Sequence, residues 1–217
     1  MRGLLIAALG AALFASAALA GGSDPIKRHT TADMAKARSI VFKRAELGAD
    51  WTRDTSPSND DDPNCSYFHI QESDLVETGY AEATFNHTSG ATIGSEASIY
   101  GTAAQARTTW TRHVRPALAR CLADEIRKQS LADGDKVQIV STKQLAFPTV
   151  SPRTAAYRIV VRLTPKGRTT AIPITVDTVF LERGRILALL GVISPGVAPP
   201  LAADVRLARV LDARMRA

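Results

Sequence analysis

The four histidines, His29, His69, His87 and His113, are the first candidates for catalysis because imidazole can move protons near neutral pH. They stand in four different segments, and none has a serine, cysteine or carboxylate at a spacing typical of an active site. The chain also lacks a GxSxG elbow, an HExxH pair and a glycine-rich phosphate loop. A catalytic triad can be assembled in any chain order, so a secreted hydrolase without a local motif stays open as an alternative. We nevertheless predict no catalytic residues and no cofactor.

A second candidate is the oxygen-rich segment from Asp50 to Asn64, which contains the triplet Asp60 to Asp62. Clustered carboxylates and carbonyls suit calcium. The segment lacks the glycine and the terminal glutamate of an EF-hand loop, so a solvated surface loop is the favoured interpretation. We assign no metal ligand here, and calcium binding by the triplet stays open.

A third candidate is a run of basic side chains on a predicted helix, which could form a stripe for an anionic lipid or glycan. Its members are Arg107, Arg112, Arg115, Arg120, Arg127 and Lys128. A solvated helix exterior is the favoured interpretation, because helices of an arginine-rich protein have this pattern by default. The net charge of +6 is too small to indicate a nucleic-acid partner.

The first twenty residues predict the compartment in which any such chemistry would take place. Arg2 precedes an apolar and small-residue run over 4–19, and residues 18–20 are Ala-Leu-Ala, the small-x-small form that signal peptidase needs. The run is shorter than the roughly 20 apolar residues that span a bilayer, which disfavours the alternative of a membrane anchor. We expect cleavage before Gly21 and a secreted or extracytoplasmic chain with no integral membrane segment. Abundant arginine and alanine favour a bacterial host.

Cys65 and Cys121 are the two cysteines of the chain. Export would place them in an oxidising compartment, where a pair forms and persists, so we predict a disulfide between them. Closing a loop of about 57 residues would remove roughly 4 kcal/mol of unfolded-state entropy. Two separately buried thiols are the alternative. Neither cysteine has a CxxC partner or a histidine at ligand spacing, which disfavours a redox motif and a zinc site.

Hydrophobic periodicity predicts the elements that position these residues. The predicted helices are 32–46, 102–129 and 202–216, and the predicted strands are 79–86, 92–100, 136–142, 155–164, 171–181 and 185–193. Pro116 should kink the second helix or divide it in two. Arg183-Gly184 predicts a two-residue hairpin turn. This order predicts an α+β fold, an antiparallel sheet of about six strands with helices packed against it, over a single domain at 30–217 preceded by a flexible arm at 21–29.

The same periodicity predicts which side chains are buried. The expected core residues are Trp110, Leu118, Tyr157, Ile159, Val161, Ile174, Val176 and Leu189. In the last helix we expect partial burial of Val205, Leu207, Val210 and Leu211, and exposure of Arg206, Arg209, Asp212 and Arg216.

A family resemblance rests on the order of several features. Residues 47–52 read Leu-Gly-Ala-Asp-Trp-Thr after the first helix, an acidic loop leads to Cys65, a strand ends at 97–100, and residues 102–106 open the helix that carries Cys121. In these features the chain resembles the PknH-like extracellular domains of actinobacterial serine/threonine kinases and their free-standing secreted relatives. The resemblance implies an α+β fold with a cleft suited to ligand capture. It supplies no functional residues, because this chain has no kinase segment and only one pair of cysteines.

The expected function is therefore that of a non-enzymatic extracytoplasmic binding or sensor-like module. Its partner would be an unknown small molecule or envelope protein. A structural envelope protein and a secreted hydrolase are the alternatives.

Overall fold

In residues 24–55 and 65–217, which this computed structural model describes, eight strands form one sheet with helices on both faces. The strands are β1 (Ile26–Lys27), β2 (Trp51–Arg53), β3 (Val76–His87), β4 (Thr92–Tyr100), β5 (Lys136–Gln144), β6 (Arg153–Thr164), β7 (Ile172–Arg183) and β8 (Ile186–Pro195). The helices are α1 (Thr31–Ile40), α2 (Arg44–Leu47), α3 (Ala103–His113), α4 (Pro116–Ala132) and α5 (Leu201–Arg216). The predicted α+β class is confirmed. The predicted signal peptide at 1–20 and the triplet Asp60 to Asp62 lie outside the described residues.

The sheet has the order β1-β3-β4-β8-β7-β6-β5, with β2 also paired to β3. Neighbouring strands are antiparallel, as predicted, except that β1 runs parallel to β3. The six long strands correspond to the six predicted ones. The two additional strands, β1 and β2, have two and three residues, which is too short for an alternating pattern to reveal them.

The two faces of the sheet carry separate hydrophobic cores because strand side chains alternate. Ile159 and Val161 of β6 face a core shared with α4, whereas Ala156 faces a core shared with α1 and α5. Seven of the eight predicted core residues are buried, namely Leu118, Tyr157, Ile159, Val161, Ile174, Val176 and Leu189. Trp110 is only partly buried against the α4 core, as is common for a side chain of its size.

Pro116 divides the long predicted helix, and it stands in the first turn of α4, where its missing amide costs nothing. The predicted helix at 32–46 is also two helices, which the periodicity did not indicate. Val41 and Phe42 are buried between α1 and α2, and the Phe42 amide donates to Ser95 Oγ at 2.9 Å. This long-range hydrogen bond replaces the helical one, so the chain is extended there.

The β7–β8 hairpin turns one residue later than predicted. Arg183 pairs with Ile186, so Gly184 and Arg185 form the turn. Gly184 has φ 60°, a conformation that glycine adopts at little cost.

The predicted disulfide joins Cys65 to Cys121 of α4, with a Cα–Cα distance of 5.7 Å, inside the range that a disulfide requires. Phe68 and Ile70 follow Cys65 and are buried in the α4 core. The bond therefore fixes a segment that also packs through its own side chains.

The α5 burial pattern differs from the prediction at two residues. Asp212 is 1% exposed, because Arg183 and Arg216 both donate to its carboxylate. Val210 is 39% exposed and lies on the solvent side of the helix. Val205 and Leu211 are buried as predicted.

Candidate functional site

The structure separates the four histidines and gives each its own partner. His29 Nε2 lies 2.9 Å from Glu77 Oε1, and His113 Nε2 lies 3.1 Å from Glu72 Oε1 in a buried pair. His69 Nε2 lies 2.8 Å from the Ser66 carbonyl, and His87 Nδ1 lies 2.7 Å from the Ser89 hydroxyl. The His87–Ser89 contact lies at the start of the β3–β4 turn and involves no carboxylate.

Three of the six side chains in the predicted basic stripe on α3 and α4 contact the segment 65–75. Arg112 donates to both Asp74 oxygens, at 2.7 and 2.9 Å. Arg115 lies over the Phe68 ring at 4.9 Å, and Arg120 lies over the Tyr67 ring at 4.5 Å. Tyr67 also donates to Asp124 at 2.7 Å, and burial together with that carboxylate raises the pKa of Tyr67 to about 12. These cations stabilise the fold, so they do not form a continuous anion-binding surface.

A group of acidic side chains lies on the β3–β4 hairpin, on the face that also carries α3 and α4. Glu82 of β3 is directly opposite Glu96 of β4, and Tyr80 is opposite Ser98. Glu77 lies on the same face, opposite Tyr100. We call the group of Glu77, Tyr80, Glu82 and Glu96 the acidic face.

Helix α3 covers only one end of the acidic face. Tyr100 is buried with Leu75 and Ala106 of α3. Further along the hairpin, Tyr80, Glu82 and Glu96 are partly exposed. Solvent therefore reaches part of the Glu82–Glu96 pair, although Glu96 Oε2 is buried.

Hydrogen bonding leaves one oxygen of the acidic face without a partner. Tyr80 donates from its hydroxyl to Glu82 Oε2 at 2.8 Å, and Glu77 is paired with His29. The Ser98 hydroxyl bonds Glu96, but Glu96 Oε2 is buried and has no hydrogen-bond partner among the described residues. A buried acceptor left in this state costs about 1 to 3 kcal/mol.

Electrostatics at the acidic face favour a bound proton. Burial, together with the carboxylates of Glu82 and Glu77, raises the pKa of Glu96 to about 8. Burial also raises the pKa of Glu77, although His29 opposes that shift. Burial and the neighbouring carboxylates Glu96 and Glu82 raise the pKa of Tyr80 far above its ordinary value. At neutral pH, Glu96 is therefore mostly a neutral acid.

Two buried carboxylates of the sheet, and one that α5 places against it, have arginine partners. Asp177 is bound by Arg158, Glu182 by Arg153, and Asp212 by Arg183. In the part of the chain that the structure describes, neither Glu82 nor Glu96 forms an ion pair with a lysine or arginine. A bound cation could therefore neutralise carboxylate charge here that no lysine or arginine of the described residues compensates.

Chemically, the acidic face can accept hydrogen bonds and bind positive charge. Opposed side chains of neighbouring strands lie about 4.5–5.5 Å apart at Cβ, close enough for one ligand to reach both carboxylates. No group of three or more His, Cys, Asp or Glu side chains among residues 24–55 and 65–217 is arranged to hold a metal ion.

The sequence analysis did not identify this face, although the signal was present. With the two strands joined by the turn at 87–91, pairing Asn86 with Thr92 places Glu82 opposite Glu96. Like charges at opposed positions destabilise a sheet, so this register marks a site with some other role.

The described residues thus define an α+β domain with a carboxylate pair on one sheet face. None of their helices is long and apolar enough to cross a membrane. No family model matches the chain, and no curated protein matches it. Among solved structures, the extracellular domain of PknH from Mycobacterium tuberculosis is similar, with a TM-score of 0.43 and 11% identity over 87% of this chain and 100% of that one. So weak a likeness leaves the function to be argued from the residues of this chain.

Proposed function

We propose that the chain is a non-enzymatic extracytoplasmic binding or sensor-like module whose acidic face receives a positively charged organic group. The observation that carries this proposal is the unpartnered, buried Oε2 of Glu96 beside the opposed carboxylate of Glu82. Such a pair destabilises the sheet whenever both carboxylates are ionised, since like charges at opposed strand positions repel. A ligand that supplies N–H donors and positive charge would give Glu96 Oε2 a hydrogen-bond partner and offset the repulsion between the two carboxylates.

The extracytoplasmic part of the proposal rests on two features. The Cys65–Cys121 disulfide is of the kind that persists in oxidising compartments. Residues 1–20 have the pattern of a secretory signal, with the mature chain beginning at Gly21.

The ligand chemistry follows from the two carboxylates. A guanidinium presents its N–H donors in a fixed fork that matches carboxylates, and a primary ammonium presents three donors on a point charge. Either would replace the proton that Glu96 holds at neutral pH. The hydrogen bonds formed would be charge-assisted, which makes them roughly twice as strong as neutral ones.

Thermal-shift measurements with small cations test the proposal. The probes are methylguanidinium and ethylammonium chloride, with tetramethylammonium, sodium and calcium chloride at matched ionic strength as comparisons. We expect methylguanidinium and ethylammonium to raise Tm, because each has N–H donors, whereas tetramethylammonium has charge without donors. The Glu96→Gln variant should lose this response. Asp133→Asn, which changes an exposed carboxylate at the end of α4, should keep it.

The proposal is wrong if no N–H cation raises Tm above the sodium control, or if Glu96→Gln responds as the wild type does. Stabilisation by calcium alone would indicate a metal site and would contradict an organic ligand. Mass spectrometry of protein purified from its native host would identify a co-purifying cation.

A further inference from the structure

The amino end of α5 meets the sheet at two buried carboxyl groups, those of Asp177 and Asp204, and at the partly exposed guanidinium of Arg158. Arg158 of β6 and Asp177 of β7 are opposite each other in the sheet, on the face that α5 covers. Asp204, in the first turn of α5, is 0% exposed and lies against this pair. Its carboxylate Oδ2 is 3.8 Å from Arg158 Nη2.

The guanidinium of Arg158 has no donor left for Asp204 on its nearest nitrogen. Arg158 Nε and Nη2 donate to the two Asp177 oxygens at 2.6 Å each, and Nη2 also donates to the Pro199 carbonyl at 3.1 Å. Neither Asp204 oxygen has a hydrogen-bond donor among the described residues. Two buried carboxylates therefore share one cation.

A proton on Asp204 resolves this excess of negative charge, because the protonated carboxyl is neutral and can donate to Asp177. Burial and the neighbouring Asp177 carboxylate, opposed by Arg158, raise the pKa of Asp204 to about 7. The amino end of a helix favours a negative charge, but here the burial and the second carboxylate outweigh it. Among the described residues, the charged groups that act on Asp204 are Asp177 from β7 and Arg158 from β6.

The carboxyl end of α5 is held differently. Arg214 donates to the carbonyls of Ile40 and Val41, and Asp212 is bound by Arg183 and Arg216. Burial raises the pKa of Asp212, but hydrogen bonds from Arg216 and Arg183 outweigh it and lower that pKa overall. This end therefore keeps its charges throughout the neutral pH range, unlike the amino end.

We infer that Asp204 is a pH-sensitive latch, which holds the first two turns of α5 on the sheet while it is protonated and releases them when it loses its proton. This device lies on the opposite face of the sheet from the acidic face and goes beyond the proposed ligand binding. Loss of the proton leaves two buried carboxylates on one guanidinium, and separating α5 from Asp177 relieves that repulsion. The carboxyl end of α5 stays bound to α1.

Hydrogen exchange of the α5 amides at pH 5.5, 7.0 and 8.5, corrected for intrinsic exchange rates, tests the latch. In the wild type, protection of the amides at 205–209 should fall at least about tenfold between pH 5.5 and 8.5, while the amides of β7 and β8 keep theirs. Asp204→Asn, which stays neutral, should show no such fall. Asp133→Asn should behave as the wild type does.

Unchanged protection at 205–209 in the wild type would overturn the latch, as would the same fall in Asp204→Asn. A uniform loss across β7 and β8 would also overturn it, because it would indicate global unfolding. If Asp204→Asn does not fold, carbon-13 NMR titration of the Asp204 carboxyl in the wild type decides. A midpoint near neutral pH that coincides with the loss of protection supports the latch, and a midpoint below pH 5 contradicts it.

Discussion

Glu96 differs from the buried carboxylates Asp177 and Glu182 in having an acid as its cross-strand neighbour. Asp177, by contrast, is opposite Arg158, and Glu182 is opposite Arg153. On its other side Glu96 is opposite Leu189 of β8, which offers no hydrogen bond. The residue thus stands between a like charge and an apolar side chain, and its protonation governs the local balance of charge.

Glu96→Gln should stabilise the protein at alkaline pH. The pKa of Glu96 is about 8 in the folded chain, against about 4.3 in an unfolded one. The stabilisation that the protonated Glu96 provides is therefore complete below about pH 4.3. It is lost as pH rises through 8, at up to about 1.4 kcal/mol per pH unit. Because glutamine stays neutral, the difference in free energy of unfolding between variant and wild type should grow in the variant's favour from pH 5 to pH 8.5.

Urea denaturation at pH 5, 7 and 8.5 measures this difference. Asp133→Asn serves as the control, since its carboxylate is exposed and should change the free energy of unfolding by less than about 0.5 kcal/mol at every pH. A Glu96→Gln variant whose advantage does not grow with pH would show that Glu96 is ionised in the folded protein.

The burial of Asp212 could not be predicted from the sequence. A charged residue in an amphipathic helix is normally solvated, so exposure was the expectation. Its burial depends on Arg183, which is 29 positions away and reaches it only after β7 and α5 have packed together. No local pattern contains that information.

At the scale of elements, α4 shows how far the sequence does specify structure. Its apolar positions recur at helical spacing, Pro116 marks its start, and Cys121 faces inward to the disulfide. The same helix has a solvent side, where Leu131 is 61% exposed. Local signals of this kind also predicted the β3–β4 strands and the start of α3 at its Thr102 cap.

Leu118→Ala should lower the free energy of unfolding by about 2 to 5 kcal/mol, because it leaves a cavity among close-packed side chains. Leu118 is 2% exposed and belongs to the α4 core. Leu131→Ala is the matched control on the same helix and should change the free energy by less than about 0.5 kcal/mol. Chemical denaturation of both variants gives the comparison, and equal losses would mean that the α4 face is misassigned.

The elements that the sequence did not predict are those set by distant contacts. The break at Val41 depends on a hydrogen bond from Phe42 to Ser95, and β1 exists only by pairing with β3. The turn at Gly184 is displaced because Arg183 stays in the strand, where it binds Asp212 of α5. Tertiary contacts of this type override local propensity.

At the scale of the whole molecule, one sheet separates two titratable sites. The acidic face lies on the side of α3 and α4, and the Asp204 latch lies on the side of α1 and α5. The hydrophobic cores were predictable from alternation, whereas both sites depend on which charged residues the strand register places opposite each other. The sequence shows that these acidic residues are present. Their proximity to each other, with too few basic residues nearby, arises only when the sheet is assembled.

Isothermal titration calorimetry with methylguanidinium, at pH 6.0 to 9.0 and constant ionic strength, tests the central claim most directly. If the cation replaces the Glu96 proton, the association constant should rise about tenfold per pH unit below pH 8 and level off above it. At pH 7, buffers of different ionisation enthalpy should report about one proton released per cation bound. Glu96→Gln should show neither effect. An association constant independent of pH, or a dependence that survives in Glu96→Gln, would contradict the account.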